Sequence, residues 1–419
     1  MDFPNRSGKR AAIARAIALV LICGLALALI APQAAVLAQT PTVDAPLRQA
    51  WQAVFPAEGA VRAVLADAAA VYALTDEGIV HALATDDGRE LWRTSGWLVP
   101  EAARCPYDPP KIHSVTYSGY YRQNNLYLTA DGDVLIAALC AGWANYQMDQ
   151  QLLLLDKATG DLRSTMSVFG GRLVGVDAGV AVVSDADGVR AVSLASQHEL
   201  WQAVGEDDYD VPGFQGMSAG VVLTRLYLDN QPMLTARAIA DGTVLWEMPV
   251  DSDDYLIAGD DLILLARSHG SGDKVELQAL DPRTGAIRWT SDLSGFAGSL
   301  YWLETVVQGG DIYAYLNGLP PGRIATLRAD SGAPLWNVEV PFAVQKVNPL
   351  GELVYCMGLA DDSTESRLHA LAGEDGHEVW DGLPGGRLLL VSPSGGLLVT
   401  SVEAGVSVSD AVVTAYQSR

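Results

Sequence analysis

The residues of this chain whose chemistry could reach beyond packing are six histidines, four cysteines and two dense acidic runs. The acidic runs are Glu206-Asp207-Asp208-Tyr209-Asp210 and Asp251-Ser252-Asp253-Asp254-Tyr255. Clustered carboxylates suit calcium, so Asp207, Asp208, Asp210, Asp251, Asp253 and Asp254 are candidate ligands of a weak cation site. Neither run has the spacing of an EF-hand loop, and a solvated acidic face accounts for the same residues. His81 and His369 each precede an Ala-Leu pair and gather with no other histidine, so a shared repeat position explains them better than a metal does. Cys105 and Cys140 flank an irregular region, where a disulfide would staple a long excursion in an oxidising compartment. Cys356 lies in the strand-like run Leu353–Met357 and reads as a buried thiol. There is no Gly-x-Ser-x-Gly elbow, no phosphate-binding glycine loop and no Cys-x-x-Cys-His haem site. No catalytic, cofactor-binding or firm metal-binding residue is assigned.

These residues ride on a repeat, best written at Ala279-Leu280-Asp281-Pro282-Arg283-Thr284-Gly285-Ala286-Ile287-Arg288-Trp289. It reads as a strand end, a polar turn whose glycine takes positive φ, and a second strand ending in tryptophan. Copies run from Ala82-Leu83 to Trp92, from Thr326-Leu327 to Trp336 and from Ala370-Leu371 to Trp380. Leu154-Leu155 leads to Ser164, where the tryptophan is lost. Ser193-Leu194 to Trp201 and Ala238-Ile239 to Trp246 read as copies with turns shortened by two residues. Trp51 resembles the end of a repeat with no beginning, and Val412–Tyr416 a beginning with no end. The two fragments complete each other, so the repeat closes as a ring.

The pattern Ala-x-Asp-x-x-Thr-Gly-x-x-x-Trp resembles the tryptophan-docking motif of pyrroloquinoline-quinone (PQQ) type β-propellers. That family includes quinoprotein dehydrogenases and BamB, the propeller lipoprotein of outer-membrane protein assembly. The resemblance covers residues 48–419. It implies an all-β, eight-bladed β-propeller of four-stranded antiparallel blades, with the last blade closed by both termini. It also implies that Trp51, Trp92, Trp201, Trp246, Trp289, Trp336 and Trp380 wedge between neighbouring blades. The family's enzymes hold PQQ over Ca²⁺, often beside a pair of adjacent cysteines; this chain has no such pair and no segment matching that site. Propeller sites assemble from several blades, so a missing linear motif does not exclude an enzyme.

Blade one reads as strands Val61–Leu65, Ala70–Leu74, Ile79–Leu83 and Glu90–Thr94. Blade two carries an insertion at about residues 97–125, either a binding loop or a tolerated excursion. Its aromatic content, Trp97, Tyr107, Tyr117, Tyr120 and Tyr121, joined by Trp143, makes it the most interface-like segment. Equal register puts the two acidic runs on one face of the ring, with Asp361, Asp362 and Glu365 of blade seven.

Residues 1–38 form a targeting segment: Arg6, Lys9, Arg10 and Arg15 precede an apolar run and a small-residue cleavage site at Ala38. Residues 39–47 are a linker. The segment is a cleaved signal peptide or a retained anchor, and either exports the chain to a periplasmic or extracellular place. Cys23 follows Ile22 rather than a small residue, which does not suit lipidation. Membrane attachment would come through an uncleaved N-terminus alone. A formal charge of −23 argues against nucleic acid and anionic lipid as partners. Three functions follow as alternatives: a non-enzymatic scaffold binding envelope proteins, a binder of carbohydrate or another envelope ligand, and a PQQ- and Ca²⁺-dependent dehydrogenase.

Overall fold

Runs such as Ala70–Thr75 and Val80–Ala84 are buried along their whole length, because their sheet is covered on both faces and alternation has nothing to face water. Glu90–Arg93, which ends the same sheet, is largely exposed. The structure is a computed structural model describing residues 46–418 outside several connections, the longest being 95–126, 205–212, 297–302, 360–365, 385–396 and 403–410. Seven sheets hold four antiparallel strands each, in chain order. They span residues 61–93, 127–168, 171–204, 213–249, 255–294, 303–340 and 343–384, blades one to seven. The first strands of successive blades contact one another, so they line the axis of a β-propeller while the fourth strands form its rim.

The remaining sheet joins the two ends of the chain. Leu397–Val402 pairs with Ala411–Ser418, which pairs with Leu47–Phe55, with Trp51 opposite Ala415. The expectation of eight four-stranded blades is therefore corrected. The described residues give seven, and the closing sheet has three strands. A first strand for it would fall within 385–396, outside the described residues. The closing sheet still takes part in the core on both sides. One apolar cluster joins it to blade seven through Leu47, Tyr355 and Met357, and another joins it to blade one through Trp51, Val71 and Val413. Similar clusters fill every seam from blade one through blade seven. This layering is what buries a chain rich in short apolar strands.

The tryptophans of the repeat sit at these seams. The indole Nε1 of Trp51 donates to the Thr85 carbonyl at 2.9 Å, that of Trp201 to Ile239 at 2.7 Å and that of Trp289 to Ala329 at 2.8 Å. Trp92, Trp246 and Trp336 do the same to Lys157, Pro282 and Gly373 at 3.2, 2.8 and 2.8 Å. Each accepting turn belongs to the next sheet and carries a glycine at positive φ, for instance Gly332 at 69° under Trp289. A Cβ there would come within 3.0 Å of the ring carbons. The glycine is therefore needed twice, for its φ and for the approach of the indole.

In blades three and four the turns are as long as elsewhere, which corrects the expectation of shortening. Ala191 and Ala236 face Trp201 and Trp246 in the ladder, just as Ala279 faces Trp289. The Ser193-Leu194 and Ala238-Ile239 pairs lie two residues further on, where each strand passes into the turn. Charged or β-branched neighbours, Arg237 and Val192, hide the true Ala-Leu position in these copies. The seam between blades two and three has no docked indole, because Ser164 stands in place of tryptophan. There the turn residue is Gln197, exposed and at φ 58°, instead of glycine. Tryptophan and glycine are lost together. This seam carries polar ties: the Leu173 N–H donates to Gln150 Oε1 at 2.7 Å, and the Gly179 N–H donates to Asp131.

Candidate functional site

A four-stranded meander leaves its fourth-to-first connections and second-to-third turns on one face of the ring. Its first-to-second and third-to-fourth turns lie on the other. The first of these, the connection face, holds the acidic connection at 250–254; residues 95–126, 205–212 and 360–365 lie outside the described residues. The docking turns under the tryptophans occupy the opposite face.

Blade two stands out on the connection face. Its second and third strands, Val134–Ala144 and Gln147–Asp156, pair out to Ala144 opposite Gln147. The first strand covers the second only as far as Ala138, and the fourth covers the third only as far as Gln150. From Leu139 to Asp149, then, neither edge of the hairpin ribbon pairs with a strand among the described residues. Bare edges offer N–H and C=O groups to an added strand. Trp143 and Cys140 lie on this ribbon. Trp97, Cys105, Tyr107, Tyr117, Tyr120, Tyr121, Asp207, Asp208 and Asp210 lie outside the described residues, and so does the proposed Cys105–Cys140 pairing.

The second acidic run is a turn whose key carboxylate points inward. Asp254 is buried; its Oδ2 accepts from the Asp251 N–H at 2.9 Å and sits 3.3 Å from Arg267 Nε. Arg225 donates to the carbonyls of Asp254 and Ser252 at 2.8 and 3.4 Å. Burial pushes the Asp254 carboxyl up from the usual range, outweighing the Asp251 N–H and the nearby guanidiniums. Asp251 and Asp253 are exposed. Protein donors thus already serve the carboxylate that a cation would need most. Among the described residues no three His, Cys, Asp or Glu side chains gather as a metal group.

His81 and His369 share an environment as well as a repeat position. Each ring stacks on a phenylalanine at or just past the end of the preceding fourth strand, Phe55 at 3.9 Å and Phe342 at 3.8 Å between centroids. Each Nδ1 meets a glutamate nine residues on, Glu90 at 2.8 Å and Glu378 at 2.7 Å. His81, fully buried, also meets Glu58 at 2.7 Å through Nε2, and the Thr75 hydroxyl donates to the same carboxylate oxygen at 3.3 Å. Sequence reasoning missed Glu58 and Glu90. The signal available for Glu90 was its place two residues before Trp92, repeated at Glu378 before Trp380. Both rings are buried while Glu90 and Glu378 stand at the exposed rim, so the two clusters tie the interior of their blades to the fourth strands.

A calcium-held quinone needs convergent oxygen donors near the axis. On the innermost strand of blade six, Glu304 accepts from the Tyr315 hydroxyl at 2.6 Å and from Asn317 Nδ2 at 2.8 Å, so its carboxylate is turned into its own blade. The described residues do not assemble that donor set. Cys356 is buried and free, its thiol pushed far up by desolvation and by Glu378. No helix among the described residues is long and apolar enough to cross a membrane.

Known proteins place this architecture. BamB from Moraxella catarrhalis is 16% identical over 88% of this chain and 97% of its own, with a TM-score of 0.54. The computationally designed Ika8 protein is 11% identical over 88% and 99%, again at 0.54. Quinohemoprotein alcohol dehydrogenase from Comamonas testosteroni is 14% identical over 88% and 76%, at 0.51. At such identities the likeness is one of fold. No curated protein matches the sequence. The family described as "Outer membrane protein assembly factor BamB" matches residues 76–260 and 273–418. With most of its length matched, the chain belongs to that family.

Proposed function

We propose that this protein is an exported, non-enzymatic propeller that binds another protein of the cell envelope through its connection face. The observation that carries the reading is the blade-two ribbon, Leu139–Asp149, whose outer edges pair with no strand among the described residues. Family membership supports an assembly role over catalysis. The basic-then-apolar N-terminus supports export, and the charge of −23 favours a partner that is neither nucleic acid nor anionic lipid. In this reading the ring needs no cofactor.

The test is photo-crosslinking in intact cells from a reactive residue at position 143, with position 309 on the opposite face as control. A discrete protein adduct from 143 alone supports the reading. Adducts from both positions, or from neither, count against it. Calorimetric titration with PQQ, with and without Ca²⁺, tests the competing dehydrogenase. Saturable, calcium-dependent uptake near one quinone per chain would replace the scaffold reading. Mass analysis of the exported chain separates a cleaved signal from a retained anchor.

A further inference from the structure

Trp380 is the repeat tryptophan whose ring takes a different course. The six others with a tryptophan reach across to a turn carbonyl of the next sheet. The Trp380 ring instead lies over Gly382 of its own strand, so closely that a Cβ at Gly382 would overlap it. The reason can be read from register. In every docking turn the glycine stands four residues before the tryptophan of its own sheet, as Gly88 does before Trp92. In the closing sheet that position, four before Trp51, is Leu47. The equivalence is close, because the ladder slips by one residue just before Trp51 and just before Trp92 alike. Leu47 is 4% exposed and shares an apolar cluster with Trp380, Tyr355 and Tyr416. Its side chain stands where the indole would land. At the Ser164–Gln197 seam the docking glycine and the tryptophan are both replaced, so a turn with a Cβ again goes without an indole.

A second observation falls on the same row. Trp380, Ala370, Tyr355 and Asn348 face one another in successive strands of blade seven, so all four point toward the closing sheet. The Tyr355 hydroxyl and Asn348 Nδ2 are buried there with no hydrogen-bond partner. Buried donors without partners are costly. The seam therefore lacks the docked indole of its neighbours and keeps unsatisfied donors.

We propose that Leu47 and Trp380 form a conformational latch at the closure. Leu47 holds the indole off, and the seam between blade seven and the closing sheet opens before the docked seams do. Displacing Leu47 frees the place for Trp380 to cross over, so the position of the first strand sets how firmly the ring is shut.

Hydrogen exchange on the intact protein tests this. Amides of Leu47–Phe55 should exchange on the order of tenfold faster than those of Ile287–Ser294, the equivalent fourth strand below a docked seam; tenfold corresponds to about 1.4 kcal/mol. Leu47→Gly should slow exchange in Leu47–Phe55, and the fluorescence lost on adding Trp380→Phe should move to shorter wavelength than the same difference in the parent. Leu47→Ala, which keeps a Cβ, should leave that difference spectrum where it was. Equal exchange in the two parental strands would overturn the latch. So would a Trp380 difference spectrum that responds alike to glycine and alanine. Should Leu47→Gly fail to fold, the parental exchange comparison and Trp380→Phe still decide: that substitution should lower the melting temperature less than Trp289→Phe, and an equal loss refutes the proposal.

Discussion

Replacing Gly332 by alanine should destabilise the protein by about 2–4 kcal/mol, since it adds strain at positive φ to overpacking against Trp289. Gly132 has a similar φ of 58° with nothing near its missing Cβ. Gly132→Ala should therefore cost only the backbone share, about 1–2 kcal/mol. Urea unfolding of the two variants separates φ from contact at this residue type. Asp281 supplies a pH prediction. Arg288 at 2.9 Å and the Thr284 hydroxyl, with the backbone N–H groups of the turn, hold its carboxyl down to about 2 from 3.8. A depressed folded pKa contributes stability that is full above the unfolded value and lost as pH falls through the folded one. The gap in urea midpoint between parent and Asp281→Asn should thus hold above pH 3.8 and close toward about pH 2. A gap independent of pH would assign the effect to the turn's hydrogen bonds alone. His81 is a third residue-scale case. His81→Leu leaves the Glu58 carboxylate buried without its imidazole and should cost about 3–5 kcal/mol, whereas Glu58→Gln in the same background should recover part of it.

At the scale of elements, the seam between blades two and three offers a two-way exchange. Ser164→Trp alone drives an indole against the Cβ of Gln197 and should destabilise. Gln197→Gly alone relieves a left-handed residue and should be neutral or mildly stabilising, by up to ~1 kcal/mol. Together they rebuild a docked seam, so the pair should be more stable than the sum of the singles by about 1–3 kcal/mol. Simple additivity would mean that docking depends on more than the glycine. The docking strands and turns were legible in the sequence because a large aromatic and a glycine recur at fixed spacing, and each has a steric reason to be there. The misread copies in blades three and four show where that legibility stops. Arg237 and Val192 occupy ladder positions that Leu fills elsewhere, and apolar pattern alone slid the alignment by two residues. The blade-two ribbon was not legible at all. Leu139–Ala144 reads like any strand, and only the shorter reach of its described neighbours in the ladder sets it apart. The pairs His81–Glu90 and His369–Glu378 were half legible: the histidines stood out by type, while their glutamates looked like ordinary rim charges.

For the molecule as a whole, ring closure depends on one strand more than on any other. Ala411–Ser418 is the middle strand of the closing sheet, paired on one side with Leu47–Phe55 and on the other with Leu397–Val402. The halves of this sheet were visible in the sequence as a tryptophan end without a beginning and a beginning without an end. Its three-stranded form was not, because strand number depends on pairing and not on pattern. Contacts in the rest of the ring are local, each blade meeting its neighbours, so the closing sheet joins residues that are furthest apart in sequence. Deleting 411–418 would unpair both flanking strands and expose Trp51, Val71 and Leu83, which share a buried cluster with Val413 and Ala415. The loss should exceed that of any point substitution above, and the thermal transition should fall and broaden as blades one and seven lose their common neighbour. Restoring the strand as a separate peptide should recover the parental transition in proportion to its occupancy, because binding to the folded state alone stabilises by mass action. A truncated protein that melts like the parent would mean that the ring is held by its seven blades without closure. The latch at Leu47 would then have no ring to shut.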